Sequence, residues 1–226
     1  MIKKLFQKIL LNFGKSYSID TNIPDKLLLG FLFNRMTMLI RGMVLLRKKI
    51  FLGKNSIITN KKNIEFGKSV TIENNCIIDG YAQQRIKIGD GSRIGAFSTL
   101  SCTSHLSFYG VGLQMGSNSA VGKFTEFGAA GGIIIGNDVI MGSYISFHSE
   151  NHNFKNTSKL IREQGVTHNG IILGNNIWVG AKVAFLDGAV VGNNCVVAAG
   201  AVVTGKFPDN VIIGGVPAKI LKTIET

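Results

Sequence analysis

Residues 145–154, ISFHSENHNF, hold two of the chain's four histidines, His148 and His152, with Glu150 and Asn151 between them. A neutral imidazole can take the proton from an alcohol as that alcohol attacks an activated carbonyl, so the window has the makings of a general-base site. Two histidines four apart are also the start of a zinc site, but on an extended segment they share a side only where the chain runs straight. His105 ends the run SCTSH, and His168 lies further along the chain. The three cysteines, Cys76, Cys102 and Cys195, are widely spaced and odd in number, which excludes a disulfide framework or zinc knuckle and fits a reducing cytosol.

Which histidine can act depends on what positions it, and from residue 66 onward that is a six-residue repeat. Large apolar residues open the hexapeptides in six triplets: Phe66, Ile72, Ile78; Ile88, Ile94, Leu100; Met115, Val121, Phe127; Ile135, Met141, Phe147; Leu173, Val179, Phe185; Val191, Val197, Val203. Glycine fills the second position in eleven of these eighteen, which excludes chance periodicity. The residues between successive triplets number four, nine, two, twenty and none, and no triplet is broken internally. A coil of three short strands joined by three corners explains this, because loops can leave one corner without disturbing the stacked faces. First and fifth positions are predicted to point inward, making Cys76 and Cys195 core filler. Glycine is predicted to mark corners that need unusual torsions. The phase runs back through Leu46, Leu52 and Ile58, predicting an incomplete first coil. His152 is then the sixth residue of the hexapeptide opened by Phe147, at the corner from which the insertion 153–172 departs. His105 holds the same position two coils earlier, His148 holds a second position, and His168 lies in the insertion, placed to help close a site.

The first fifty residues are of a different kind. They carry ten Lys or Arg against two Asp, a net +8 of the chain's +12. Ile2, Leu5, Phe6, Ile9, Leu10 and Phe13 recur at helical spacing with lysines between them, and a second helix is predicted from Pro24 to about Arg47. Its apolar run at 27–33 is too short to span a bilayer, and Arg35, Arg41 and Arg47 interrupt the rest of the helix. The arm is expected to lie on a membrane or on a partner subunit, or to be a solvated basic face. No signal-peptide cleavage site is found after the first residues. The organisation is a basic helical arm at 1–50, a β-helix at 51–207 with its inserted loop, and a C-terminal strand and tail at 208–226.

The stretches IIIGNDVIMGSYISFHSENHNF, IREQG, ILGNNIWVGAKVAFLDGAVVGNNCVVAAGAVVT and NVIIGGVPAKILK resemble the hexapeptide-repeat acyltransferases, in particular their O-acetyltransferase branch of galactoside, capsule and O-antigen enzymes. That resemblance implies an all-β fold, a left-handed parallel β-helix with an N-terminal α-helical arm, assembled as a homotrimer that binds acetyl-CoA in clefts between neighbours. It places His152 as the catalytic base, preceded by Asn151 and Glu150; His148, at a corner position, is expected to be structural or a wall of the acceptor pocket, and His105, whose SCTSH does not match the family motif, is the rival that could contact the acceptor. Trp178 would line the thioester end, Ala181 would offer a backbone N–H to the acetyl carbonyl, Ala199 and Thr204 would border the pantetheine arm, and Lys219 and Lys222 would meet the phosphates. The segment FTEFGAAGG departs from galactoside enzymes, with Gly131 and Gly132 near the acid those enzymes carry, so the acceptor is expected to be held differently.

The reading is a cytoplasmic acetyl-CoA-dependent O-acetyltransferase, peripheral on the inner face of the cell membrane. It acts on a sugar hydroxyl of a surface polysaccharide or its precursor, with no metal and no nucleic-acid partner. The alternatives are N-acetylation of an amino-sugar nucleotide and a zinc-binding or structural β-helix of γ-carbonic anhydrase type.

Overall fold

The six-residue period winds into a left-handed parallel β-helix with three flat faces, seen in a computed structural model that describes residues 18–225 together with Lys3, Phe6, Gln7, Lys8 and Leu11. The first face stacks Phe51–Leu52, Thr71–Ile72, Arg93–Ile94, Ala120–Val121, Ile140–Met141, Trp178–Val179, Val196–Val197 and Val211–Gly214, and Lys219–Thr223 closes it antiparallel. The second face runs from Ile57–Ile58 through Thr99–Ser101, Glu126–Gly128, Ser146–His148 and Ala184–Leu186 to Val202–Val203. The third runs from Ile64–Phe66 through Ile133–Ile135 and Ile171–Leu173 to Lys206–Phe207.

The register explains the period. First positions meet first positions of the next coil, as in Leu52↔Ile72↔Ile94↔Val121, so each apolar side chain lands on its counterpart. Phe127, Phe147 and Phe185 stack at 5.1 and 5.0 Å between centroids and are fully buried. Such pairs add about 0.5–1.5 kcal/mol each beyond the area they bury. Cys76 and Cys195 are core filler as predicted, and Cys102 joins them, its thiol pushed up to about 12 by burial and then by Asp79.

Gly91, Gly188 and Gly200 take the left-handed torsions predicted for corner glycines, but the second-position glycines hold their places for a different reason. Left-handed torsion falls on the fourth position instead: Asn118, Asp138, Asn176 and Asn194 at the corner between third and first faces, and Phe97, Phe124, Tyr144 and Lys182 at the corner between first and second faces. The second-position glycines are needed because the next coil passes too close. A Cβ on Gly89 would lie 2.5 Å from the carbonyl carbon of Gly116, and one on Gly122 would lie 2.6 Å from that of Gly142.

All long excursions leave the corner between the second and third faces. The other two are regular. We call them the asparagine corner, for the side-chain ladder Asn137, Asn175, Asn193 and Asp209, and the aromatic corner, where Phe97, Phe124 and Tyr144 stack at 5.0 Å intervals; the third is the loop corner.

The predicted second helix is α1, Asp25–Leu46. Leu46 therefore ends a helix and packs on the core from there; the incomplete first coil begins at Leu52 and Ile58. The Arg35 guanidinium donates to Thr71 Oγ1 at 2.9 Å and lies 3.3 Å from the Phe51 ring centroid. Burial, and then Arg93 nearby, lower its pKa to about 10. Of the first predicted helix, Phe6 is buried against Phe31, whereas Ile2, Leu5, Ile9, Leu10 and Phe13 lie outside the described residues.

Candidate functional site

The second-face strand Ser146–His148 runs into Ser149, which is fully buried and holds the corner shut: its Oγ donates to Gly128 O at 2.7 Å and accepts from Gly131 N at 2.9 Å. The chain then leaves the prism. Asn151–His152 pairs antiparallel with Val166–Thr167, so the insertion stands off the loop corner as a short ribbon with His152 exposed at its base. The ribbon returns under the control of Asp187, a buried carboxylate that the sequence reading missed. Its Oδ1 accepts from Asn169 N at 2.7 Å and Gly170 N at 2.8 Å, and its Oδ2 from Thr167 Oγ1 at 2.9 Å and Asn169 Nδ2 at 2.8 Å. The signal in the sequence was an acid inside the otherwise apolar stretch AFLDGAV.

The four histidines separate by environment. His105 turns back on itself: its Nδ1 lies 2.8 Å from Ser107 Oγ and accepts from Ser107 N at 3.2 Å. His168 stacks on Phe108 at 3.8 Å between centroids, and its Nε2 lies 3.3 Å from Glu150 Oε2, within ion-pair range but off hydrogen-bond geometry. Glu150 also accepts from Ser104 Oγ at 3.0 Å, so it ties the insertion to an earlier coil. His148 is exposed on the second face, in register between Gly128 and Leu186. His152 alone combines exposure, the insertion's base and a ring not committed to a neighbouring backbone amide among the described residues.

Glycine at 131 has a steric cause. A Cβ there would fall 2.0 Å from the carbonyl oxygen of Ser149, so the acid carried nearby in galactoside enzymes has no room at this position. A groove of about 120 Å³ opens beside it, lined in part by Gly131, Gly132, Asn169 and Gly170.

The residues implied for the acyl donor gather mostly on the first face. Trp178, Val196, Ile212 and Lys222 occupy one outward row, each in register with the next. Three strand spacings put Lys222 about 14 Å from Trp178. Lys219 sits on the same closing strand, opposite Gly214. Ala181 and Ala199 follow at the aromatic corner. The Ala181 carbonyl accepts from Gly200 N at 2.9 Å, and the Ala181 N–H meets no acceptor among the described residues. Thr204 does not join them, since it follows Val202–Val203 at the loop corner.

The loop corner is the vertex opposite the first face. Within one chain the width of the prism therefore separates His152 from Trp178 and the lysines. Among the described residues, no group of three His, Cys, Asp or Glu side chains is arranged to hold a metal ion.

Comparison with known proteins gives these elements relatives. The family model described as bacterial transferase hexapeptide (six repeats) matches residues 170–205. The Escherichia coli (strain K12) protein WbbJ, named for O-acetyl transfer in lipopolysaccharide biosynthesis, is 30% identical over 142 residues, 59% of this chain and 72% of that protein. Galactoside O-acetyltransferase of the same organism is 30% identical over 93 residues, 41% of this chain and 44% of that one. Among solved structures, a point mutant of the N-acyltransferase AntD of Bacillus cereus, in complex with dTDP and coenzyme A, superposes with a TM-score of 0.57 at 23% identity, covering 76% of this chain and 86% of that one. A hexapeptide-repeat acetyltransferase of Vibrio cholerae, complexed with acetyl coenzyme A, gives 0.54 at 21% identity, covering 62% and 71%. At those identities the structural likeness speaks for the fold.

Proposed function

Because the chain belongs to the hexapeptide-repeat acyltransferases, we propose that it transfers an acetyl group from acetyl-CoA to a sugar hydroxyl of a surface polysaccharide or its precursor. Its clefts are shared between the subunits of a cytoplasmic homotrimer attached peripherally to the inner membrane face. The observation that carries this reading is the split of the functional residues over opposite sides of the prism. A base at the loop corner and a donor row on the first face make one site only when a neighbour brings its loop corner to this chain's first face.

In that cleft the acceptor hydroxyl gives its proton to His152 as its oxygen attacks the thioester carbonyl. The Ala181 N–H steadies the oxyanion. Collapse breaks the C–S bond, and the imidazolium returns its proton to the leaving thiolate, giving a sugar ester and free CoA thiol. The outward row supports the donor: the Trp178 indole covers the thioester, Ala199 leaves room for the narrow pantetheine arm, and Lys219 and Lys222 offer cations to phosphates. Thr204 borders the arm from the neighbour's loop corner.

The test follows free thiol release from acetyl-CoA with glycan precursors as acceptors. His152→Ala is expected to lose about 10²- to 10⁴-fold in turnover, the usual cost of removing a general base, with CoA affinity and trimer mass retained. His105→Ala and His148→Ala should lose far less. A His152→Ala enzyme keeping more than about a tenth of wild-type turnover, while His105→Ala collapses, puts the base on the wrong coil. Turnover confined to amino-sugar nucleotides would make the enzyme an N-acetyltransferase.

A further inference from the structure

α1 meets the protein through a mixed side: Leu28, Met38 and Gly42 are buried, Arg35 reaches Thr71 and the Phe51 ring, and Arg41 Nη1 donates to the Leu52 carbonyl. Gly42 lies against Ile50, where a Cβ would meet the backbone oxygen at 2.1 Å. The other side carries Leu29, Phe33, Met36, Ile40 and Met43, spaced by four, three, four and three residues, all exposed, with Phe33 at 70%. Val44 beside them is 71% exposed. At 1.5 Å per residue this stripe runs along a helix of about 33 Å.

Charge gathers at one end of it. From Lys26 to Lys49 the chain has no acidic residue, and exposed Arg47, Lys48 and Lys49 cluster at the C-terminal end, while exposed Asp25 and Lys26 offset each other at the N-terminal end. Parallel pairing of the stripe with a second copy would set the Arg47, Lys48 and Lys49 cations against the same cations. Crossing a bilayer would tear Arg35 and Arg41 from their partners on the first coils. An anionic lipid surface has neither problem, since it accepts the apolar side chains at the level of the headgroups and the lysines and arginines beside the phosphates.

We propose that the outward face of α1 is a membrane-docking surface that lies in the plane of an anionic leaflet. The proposal deepens the peripheral-attachment part of the reading above and stands without the acyl-transfer part. Docking fixes the enzyme by its first coils. Trp178 lies five strand spacings along the first face from Phe51, about 24 Å, which would place the donor row at a set distance from the leaflet rather than free in bulk solution.

The full chain is pelleted with vesicles of phosphatidylcholine alone and of phosphatidylcholine with phosphatidylglycerol, at low and high salt. Wild type should bind the anionic vesicles at least tenfold more tightly than the neutral ones. The triple variant Phe33→Ser/Met36→Ser/Ile40→Ser should lose at least tenfold, as should Lys48→Glu/Lys49→Glu at low salt. Because these side chains face outward, thermal melting and His152-dependent turnover should stay at wild-type values, which separates lost docking from lost folding. Wild-type binding that survives the triple variant unchanged overturns the assignment to α1. No binding by wild type overturns both the assignment and peripheral attachment, and if the triple variant then lowers the oligomer mass, the stripe is an interface between copies.

Discussion

The aromatic corner and the loop corner are built from the same hexapeptide yet do opposite work. At the aromatic corner every turn has the same length, Phe97, Phe124 and Tyr144 stack on one another, and the glycines let successive coils touch. At the loop corner the turn length changes from coil to coil, buried serine and aspartate hold the departing backbone, and His148 and His152 stand exposed. The comparison teaches a division of labour: two corners keep register, which frees the third to vary and carry chemistry. It also sets a problem, because the proposed base stands at the loop corner and the proposed donor row lies across the prism.

The sharpest way to break that picture is to ask whether one chain can hold a working site. His152→Ala alone should cost about 10²- to 10⁴-fold in turnover. Ala181→Tyr, which fills the proposed donor cleft, should abolish turnover as well. Refolded together at equal amounts, the two dead chains should recover about a quarter of wild-type activity, because random assembly gives that share of interfaces an intact residue from each side. No recovery, with mixed trimers verified by mass, would mean that both residues serve the same chain's site.

Glycine substitutions sharpen the contrast in stability. Gly122→Val drives side-chain atoms into the carbonyl of Gly142, 2.6 Å from the Cβ position. About 3 kcal/mol or more should be lost, lowering the melting temperature by roughly 6–12 °C in a chain of this size. At Gly205, near the loop corner, an added Cβ meets nothing closer than the Phe207 ring at 4.0 Å, so Gly205→Ala should stay within about 0.5 kcal/mol.

Asp187 tests what holds the insertion. Asp187→Ala removes a carboxylate that accepts four hydrogen bonds and leaves Asn169 and Gly170 N–H groups without acceptors. Bonds to a charged group contribute about 1.5–3 kcal/mol, so a loss of about 2 kcal/mol is expected, with a raised acceptor KM as the ribbon under His152 loosens. Unchanged KM beside lowered stability would restrict Asp187 to the scaffold.

Much of this was legible in the sequence because packing writes itself as a period. Ile72, Ile94 and Val121 announced their stacking by spacing alone, and the positions of the interruptions located the loop corner and His152 on it. What escaped was information that spacing does not carry. The side of α1 that faces the protein is set by Gly42 meeting Ile50 and two arginines finding Thr71, Phe51 and Leu52, and most of these are contacts between segments distant in sequence. The role of glycine was misplaced because contact between coils and left-handed torsion leave the same residue in the sequence, and only the φ values separate position two from position four. Thr204 and Ala199 are five residues apart, yet they fall on different corners.

A smaller effect than that at Asp187 concerns the aromatic corner itself. Phe124 occupies a left-handed conformation, φ 57°, that asparagine adopts more readily, and asparagine stands at the equivalent Asn75 two coils earlier. Phe124→Asn therefore relieves backbone strain while deleting two ring stacks, at 5.0 Å to Phe97 and 5.0 Å to Tyr144. Each stack contributes about 0.5–1.5 kcal/mol and the strain relief offsets part of it, so a net loss of about 1 kcal/mol is expected in the unfolding of the protein. The ladder lies in line with Lys182, next to Ala181, at the edge of the face that a neighbour approaches in the proposed trimer. If the neighbour also packs on Phe124, the loss will grow with trimer formation, and Phe124→Asn will dissociate on dilution while wild type does not. Equal losses in the two regimes would leave the ladder as a strut of the single chain, and the neighbour's loop corner would have to reach the donor row without touching it.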